Sequence, residues 1–127
     1  MLPNFLQPEI ITRQDGVGSE IDLAATAGKP LLLTLGITNI IEQESLDVAI
    51  QGSVDGQTWT DKPLLAFPQK FYCGTYTLLL DLSSHLEVKY LRVQWKMNRW
   101  GRGEPTPQFG FYVFAQDAND LAVRAVA

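Results

Sequence analysis

Residues 90–97 read Tyr90-Leu91-Arg92-Val93-Gln94-Trp95-Lys96-Met97. Leu91, Val93, Trp95 and Met97 take alternate positions, with Tyr90, Arg92, Gln94 and Lys96 between them. Side chains of a β-strand point to opposite faces in turn, so this period of two turns one set to a core and the other to water. A helix would scatter the same four apolar residues around its circumference. The signature recurs on both sides of this stretch. Leu31, Leu33, Leu35 and Ile37 line one face, with Thr34, Gly36 and Thr38 opposite. Leu46, Val48 and Ile50 alternate with Asp47, Ala49 and Gln51, and Tyr76, Leu78, Leu80 and Leu82 follow. Phe109, Phe111, Val113 and Ala115 oppose Gly110, Tyr112 and Phe114, and Ile21 and Leu23 alternate with Glu20 and Asp22. Short strands broken by turn signals such as Asp55-Gly56 predict an all-β fold, an antiparallel β-sandwich of jelly-roll type with about seven to eight strands.

The chain has 127 residues, enough for one domain that folds without metals or disulfides. Residues 20–116 are expected to form the sandwich. Residues 1–19 read as an extended N-terminal arm, because Pro3 and Pro8 exclude a regular helix or a central strand. That arm carries Phe5, Leu6, Ile10 and Ile11, too apolar for a solvated tail. It is expected either to pack across its own domain or to dock on a neighbouring subunit. Residues 117–127 read as a C-terminal tail with a short helix capped by Asp117 or Asp120. A second helical turn, opened by a serine cap, is expected at Ser83–Glu87. The N-terminus lacks a basic region before its apolar residues, and no apolar run reaches the ~18 residues of a membrane span. A soluble protein made in the cytoplasm, or in something assembled there, is expected.

Candidate chemistry is sparse. One cysteine, Cys73, and one histidine, His85, exclude an internal disulfide, a Cys/His zinc site and a multi-histidine metal centre. His85 beside Ser83 and Ser84 invites a nucleophile–base reading, against which stands an ordinary surface histidine. The stretch Gly52-Ser53-Val54-Asp55-Gly56 lacks nucleophile-elbow spacing and reads as a turn. Glu42, Glu44 and Asp47, and separately Asp15, Glu20 and Asp22, offer hard oxygens without a calcium-loop spacing and read as solvated surface. No catalytic residue, metal or cofactor is expected.

Charge is distributed unevenly. The net charge is −4, yet residues 89–102 hold five of the ten bases and no acid. That segment is therefore +5, leaving five bases against fourteen acids elsewhere, or −9. An acidic whole argues against general nucleic-acid binding. Arg92 and Lys96 share the strand face away from Trp95, and Arg99, Trp100 and Arg102 fall in a glycine-containing tip. Tryptophan and arginine are enriched at interface hot spots. The tip is open to three readings: docking on an acidic neighbour, another copy of this chain included; stacking on a sugar or nucleic acid; or a loop folded back on the sheet.

The segments LLLTLGIT (31–38), SLDVAIQGSVDGQTW (45–59), YTLLLDL (76–82), YLRVQW (90–95) and PQFGFYVFA (107–115) together resemble small β-sandwich structural proteins of tailed bacteriophages and prophages. The resemblance covers about residues 20–116. The phrases Ser53–Trp59 and Tyr90–Val93 also resemble galactose-binding, discoidin-type jelly rolls. The first resemblance implies a non-enzymatic virion component, most directly a capsid decoration or stabilising subunit, alternatively a tail or connector part. It implies assembly in the host bacterial cytoplasm, with other virion proteins (a major capsid or tail protein) and copies of itself as partners. Phe5, Leu6, Ile10 and Ile11 of the arm and Arg99, Trp100 and Arg102 of the tip, where this chain departs from the family skeleton, are the expected contact residues, together with Arg92 and Lys96 of the basic stretch. The second resemblance implies a carbohydrate-binding module, with Trp100, Tyr72 and Tyr112 as candidate rings for a glycan.

Overall fold

The computed structural model describes residues 4–23, 28–40, 44–59, 62–99 and 108–118. Nine strands are present among them: β1 (Asn4–Thr12), β2 (Gly16–Val17), β3 (Ile21–Asp22), β4 (Pro30–Ile40), β5 (Glu44–Ser53), β6 (Leu65–Ala66), β7 (Gly74–Asp81), β8 (Tyr90–Arg99) and β9 (Phe109–Asp117). One sheet has the order β1-β9-β4-β7, and the other β2-β8-β5-β6 with β3 also on β8. All strand pairings are antiparallel. Since β2 and β3 both pair with β8, they act as one interrupted strand, leaving eight strand positions. The first position pairs with the last, the second with the seventh, the third with the sixth and the fourth with the fifth. That is an antiparallel ribbon rolled into two sheets, the jelly-roll arrangement. No helix among the described residues is long and apolar enough to cross a membrane.

The alternating rows meet between the sheets. Leu31, Leu33, Leu35 and Ile37 of β4 face Leu46, Val48 and Ile50 of β5 and Leu91, Val93 and Trp95 of β8 across one core. Phe109, Phe111, Val113 and Ala115 complete it from β9, all fully buried. Trp95 and Phe111 join the sheets by an edge-to-face contact, ring centroids 5.3 Å apart. The indole Nε1 of Trp95 donates to the Gln14 carbonyl at 2.9 Å, so its one polar atom is satisfied.

Of the two expectations for the N-terminal segment, the structure shows packing on its own domain: residues 4–12 form edge strand β1, laddered along β9. Leu6 is 1% exposed and belongs to the core, and Ile10 packs against that core. Pro8, which lacks a donor, sits on an edge strand, where a missing ladder bond costs least. The register shifts between Phe5 and Gln7 and again between Gln7 and Ile10. These irregularities reset the side-chain parity, so Leu6 and Gln7 both point inward and the period of two is lost.

Three smaller points differ as well. The expected turn near 83 is a 3₁₀ turn at Leu82–Ser84, capped by the Asp81 carboxylate, which accepts from the Ser83 N–H at 2.9 Å. After the Asp55-Gly56 turn the chain returns to β5 through a single bridge, Ser53 to Trp59, before β6 pairs further along. Glu44, expected on the solvated surface, is 1% exposed and accepts from the Gln108 N–H at 2.8 Å. The expected tail helix beyond Ala118 lies outside the described residues.

Candidate functional site

No metal-holding group of three His, Cys, Asp or Glu side chains occurs among the described residues. The serines beside His85 turn away from it. Ser83 Oγ donates to the Asp81 carboxylate at 2.6 Å, Ser84 Oγ lies 3.4 Å from the Asp81 carbonyl, and His85 Nδ1 lies 3.9 Å from Glu87 Oε1. Cys73 is exposed and unpaired as a thiol. What distinguishes this molecule is the contrast between its two outer sheet faces.

The outer face of the β1-β9-β4-β7 sheet is nearly free of charge. Leu32, Thr34 and Gly36 of β4 lie opposite Leu79, Thr77 and Thr75 of β7, and opposite Gln116, Phe114 and Tyr112 of β9. None of these nine carries a charge; the exposed carboxylates nearest to them are Glu9 on β1 and Asp81 on β7. Phe5 adds a ring, with centroids 4.9 Å from Phe114 and 5.8 Å from Tyr112. The Tyr112 ring lies flat over Gly36, where a side chain would collide with it. Glycine at 36 thus lets an aromatic plate cover the strand. A shallow hollow of about 690 Å³ opens among Phe5, Pro8, Thr34, Tyr112, Phe114 and Gln116, with Glu9 as its one charged lining residue. Leu79 is 56% exposed and Phe5 42%. A solvated antiparallel face ordinarily alternates to polar and charged residues, so this one is unusual.

The outer face of the second sheet is built oppositely. Asp47 opposes Lys96, Ala49 opposes Gln94 and Gln51 opposes Arg92. Arg92 Nε donates to Gln51 Oε1 at 2.7 Å, and its guanidinium lies 4.4 Å from the centre of the Trp59 ring. Trp59 is held there by the turn before it. Ser53 Oγ accepts from the Asp55 and Gly56 N–H groups, and Asp55 Oδ1 accepts from the Gln57 and Thr58 N–H groups at 2.8 and 2.9 Å. Gly56 has φ near +79°, a conformation that suits glycine. The result is a polar groove of about 460 Å³.

The Asp55 turn has a pH signature. The hydrogen bond from the Thr58 main chain, then those from the Gln57 main chain and the Ser53 hydroxyl, hold its carboxyl below the usual 3.8. The Ser83 hydroxyl and then its N–H do the same for Asp81. A group whose pKa is lower in the folded state stabilises the fold above its unfolded value, and that contribution disappears as the pH falls through the folded one. Between about pH 5 and pH 2 the thermal midpoint of the wild type should therefore fall more steeply than that of Asp55→Ala. Parallel acid limbs in calorimetry would show the turn to contribute nothing.

The expected contact residues divide among these surroundings. Phe5 and Ile11 lie exposed on β1, Leu6 is in the core and Ile10 is half-buried against it. Arg92 and Lys96 share the polar groove, as strand alternation foretold. Arg99 closes β8 opposite Glu44 by its main chain, and Trp100 and Arg102 lie outside the described residues. Of the three rings named for a glycan, Tyr112 belongs to the uncharged face, Tyr72 to the loop before β7, and Trp100 falls outside. Sequence reading missed Trp59 and Gln51 as groove residues, although the cross-strand pairing of Gln51 with Arg92 follows from the register once β5 and β8 are joined. No family model matches the sequence, and no curated protein matches it.

Proposed function

We propose that the protein is a non-enzymatic building block of a phage or phage-like particle, a capsid decoration or stabilising subunit, that packs through its uncharged sheet face against a neighbouring subunit. The observation that carries this reading is the absence of charge across three adjacent strands of a protein whose net charge is −4. On this face the exposed apolar side chains of Leu79 and Phe5 stand among uncharged polar ones, and exposed apolar groups gathered in this way mark protein–protein contacts. Two acidic copies approach with least repulsion where each presents the fewest charges, here Glu9 alone in the hollow, so another copy of this chain is the first candidate neighbour. At ~4.8 Å between strands and ~3.3 Å per residue the face measures about 20 Å by 20 Å. That is ~400 Å² in projection, about half the ~800 Å² per partner of a standard interface, the size of a weak, concentration-dependent contact. The fold agrees, since jelly rolls build capsid shells as well as lectins, but a fold by itself assigns no function.

A tail or connector position would use the same face. Sedimentation velocity of the full chain over a range of concentrations tests the packing: a concentration-dependent dimer or larger ring is expected. The particle reading has its own test. Mass spectrometry of gradient-purified phage particles from cells producing the chain should find it in a fixed ratio to the major shell protein, and its absence there would sink that reading.

A further inference from the structure

We propose that the groove across β8 and β5 is a binding site for a carboxylate-bearing saccharide, with Arg92 as the receptor of the carboxylate. This site is on the sheet opposite the uncharged face and does not depend on the particle reading.

Arg92 is set up as a receptor. A side chain with its usual rotamer freedom loses much of it on binding, but this one is already fixed at two points. Its Nε is bonded to Gln51 Oε1, and its guanidinium rests on Trp59. Gln51 is itself only 7% exposed, so the fixing partner is built into the sheet. The Nη nitrogens make no hydrogen bond to a described residue, which leaves their paired donors for the two oxygens of a carboxylate. No carboxylate of the described residues lies within ion-pair distance of Arg92 or of Lys96. Asp47, opposite Lys96, instead accepts from Gln69 Nε2 at 3.2 Å.

The rest of the groove selects hydroxyls. From Arg92 to Lys96 is four strand residues, about 13 Å. Between them Gln94 faces Ala49, whose small side chain leaves depth above the sheet. Gln94 both donates and accepts, and Asp47 at the far end accepts, which matches sugar hydroxyls rather than a run of negative charge. One carboxylate at the Arg92 end and hydroxyls towards Asp47 describe a short uronic-acid saccharide.

An acidic peptide fits less well. Extended peptides are recognised mainly by main-chain hydrogen bonds at an open sheet edge. Here the floor is the middle of a sheet. β8 is paired with β5 on one side and with β2 and β3 on the other, and β5 is paired with β8 and β6. Recognition must therefore come from side chains alone.

The test is titration of the full, isotope-labelled chain with an aldobiouronic acid (one uronic and one neutral sugar), a neutral disaccharide of the same size and a short poly-glutamate peptide, followed by amide NMR and calorimetry. The aldobiouronic acid should bind saturably and shift amides of residues 47–51 and 92–96, with the neutral sugar at least about tenfold weaker. Arg92→Lys keeps the charge and loses the fork, and should weaken binding about tenfold or more while the thermal midpoint holds. Lys96→Gln, at an exposed position, should weaken it less. If Arg92→Lys fails to fold, the shift map of the wild type and Lys96→Gln decide. Absent or unsaturable binding, shifts centred elsewhere, equal binding of the neutral sugar, tighter binding of the peptide, or an Arg92→Lys variant that binds normally would each overturn the proposal.

Discussion

Leu6→Ala should destabilise the domain by about 2–5 kcal/mol, the usual cost of emptying a core leucine site. Five residues away, Ile11→Ala should change stability by no more than about 0.5 kcal/mol, because Ile11 is 60% exposed. The pair separates an edge strand from a docking arm. An arm that lay free until assembly would make both substitutions silent in the isolated protein. A strand whose inner face closes the sandwich makes one of them costly. Urea unfolding of both variants decides between these, and a Leu6→Ala midpoint equal to that of the wild type would contradict the placement of β1. A deletion tests the same placement. Removing residues 1–18 takes away Leu6, uncovers one whole edge of β9, and removes the Gln14 carbonyl that satisfies the buried Trp95 indole. Loss of cooperative unfolding, rather than a folded and assembly-deficient domain, is the expected outcome.

The second large effect falls on assembly. Leu79→Lys places a charge in the uncharged face at a position already open to solvent in the single chain, so folding should be unaffected. In a two-fold contact the change appears twice, and each ammonium must either leave water or hold the faces apart. Self-association should weaken about 100-fold or more, equivalent to about 2.7 kcal/mol. The comparison is Lys96→Gln, which alters charge on the opposite sheet and should leave sedimentation unchanged. If Leu79→Lys sediments like the wild type at every concentration, the uncharged face is not where copies meet.

The core was legible because β4, β5, β8 and β9 run long enough for a period of two to stand out, and every inward row named from sequence on β8 and β9 is inward in the structure. Leu31, Val93 and Phe109 are all fully buried. What could not be read was where the period is interrupted or where the partner is distant. Two register shifts around Pro8 hid β1, since a bulge moves the next side chain to the other face. The single-bridge return at Trp59 and the two-residue β6 are too short to carry a pattern of their own. Glu44 looks like surface acid until its acceptor role towards Gln108, far along the chain, is known. The groove was half-visible: Arg92 and Lys96 could be placed on one face, but Gln51 and Trp59 join them only through the pairing of β5 with β8. The uncharged face hid for a similar reason. Phe5, Thr34, Leu79 and Phe114 come from four separate strands, and their shared lack of charge exists only once the sheet is assembled.

Because the ribbon is rolled from its middle, Phe5 finds Phe114 only at the very end of the roll. For a chain made from its N-terminus, that order means β1 and β4 are both synthesised long before β9, the strand that lies between them and ladders with both. During that interval Leu6, Ile10 and the inner row of β4 have no lasting shelter, and such waiting segments are open to mispairing and aggregation. The first sheet therefore stays open until residues 109–117 have been made and can pair with the strands on both sides of them.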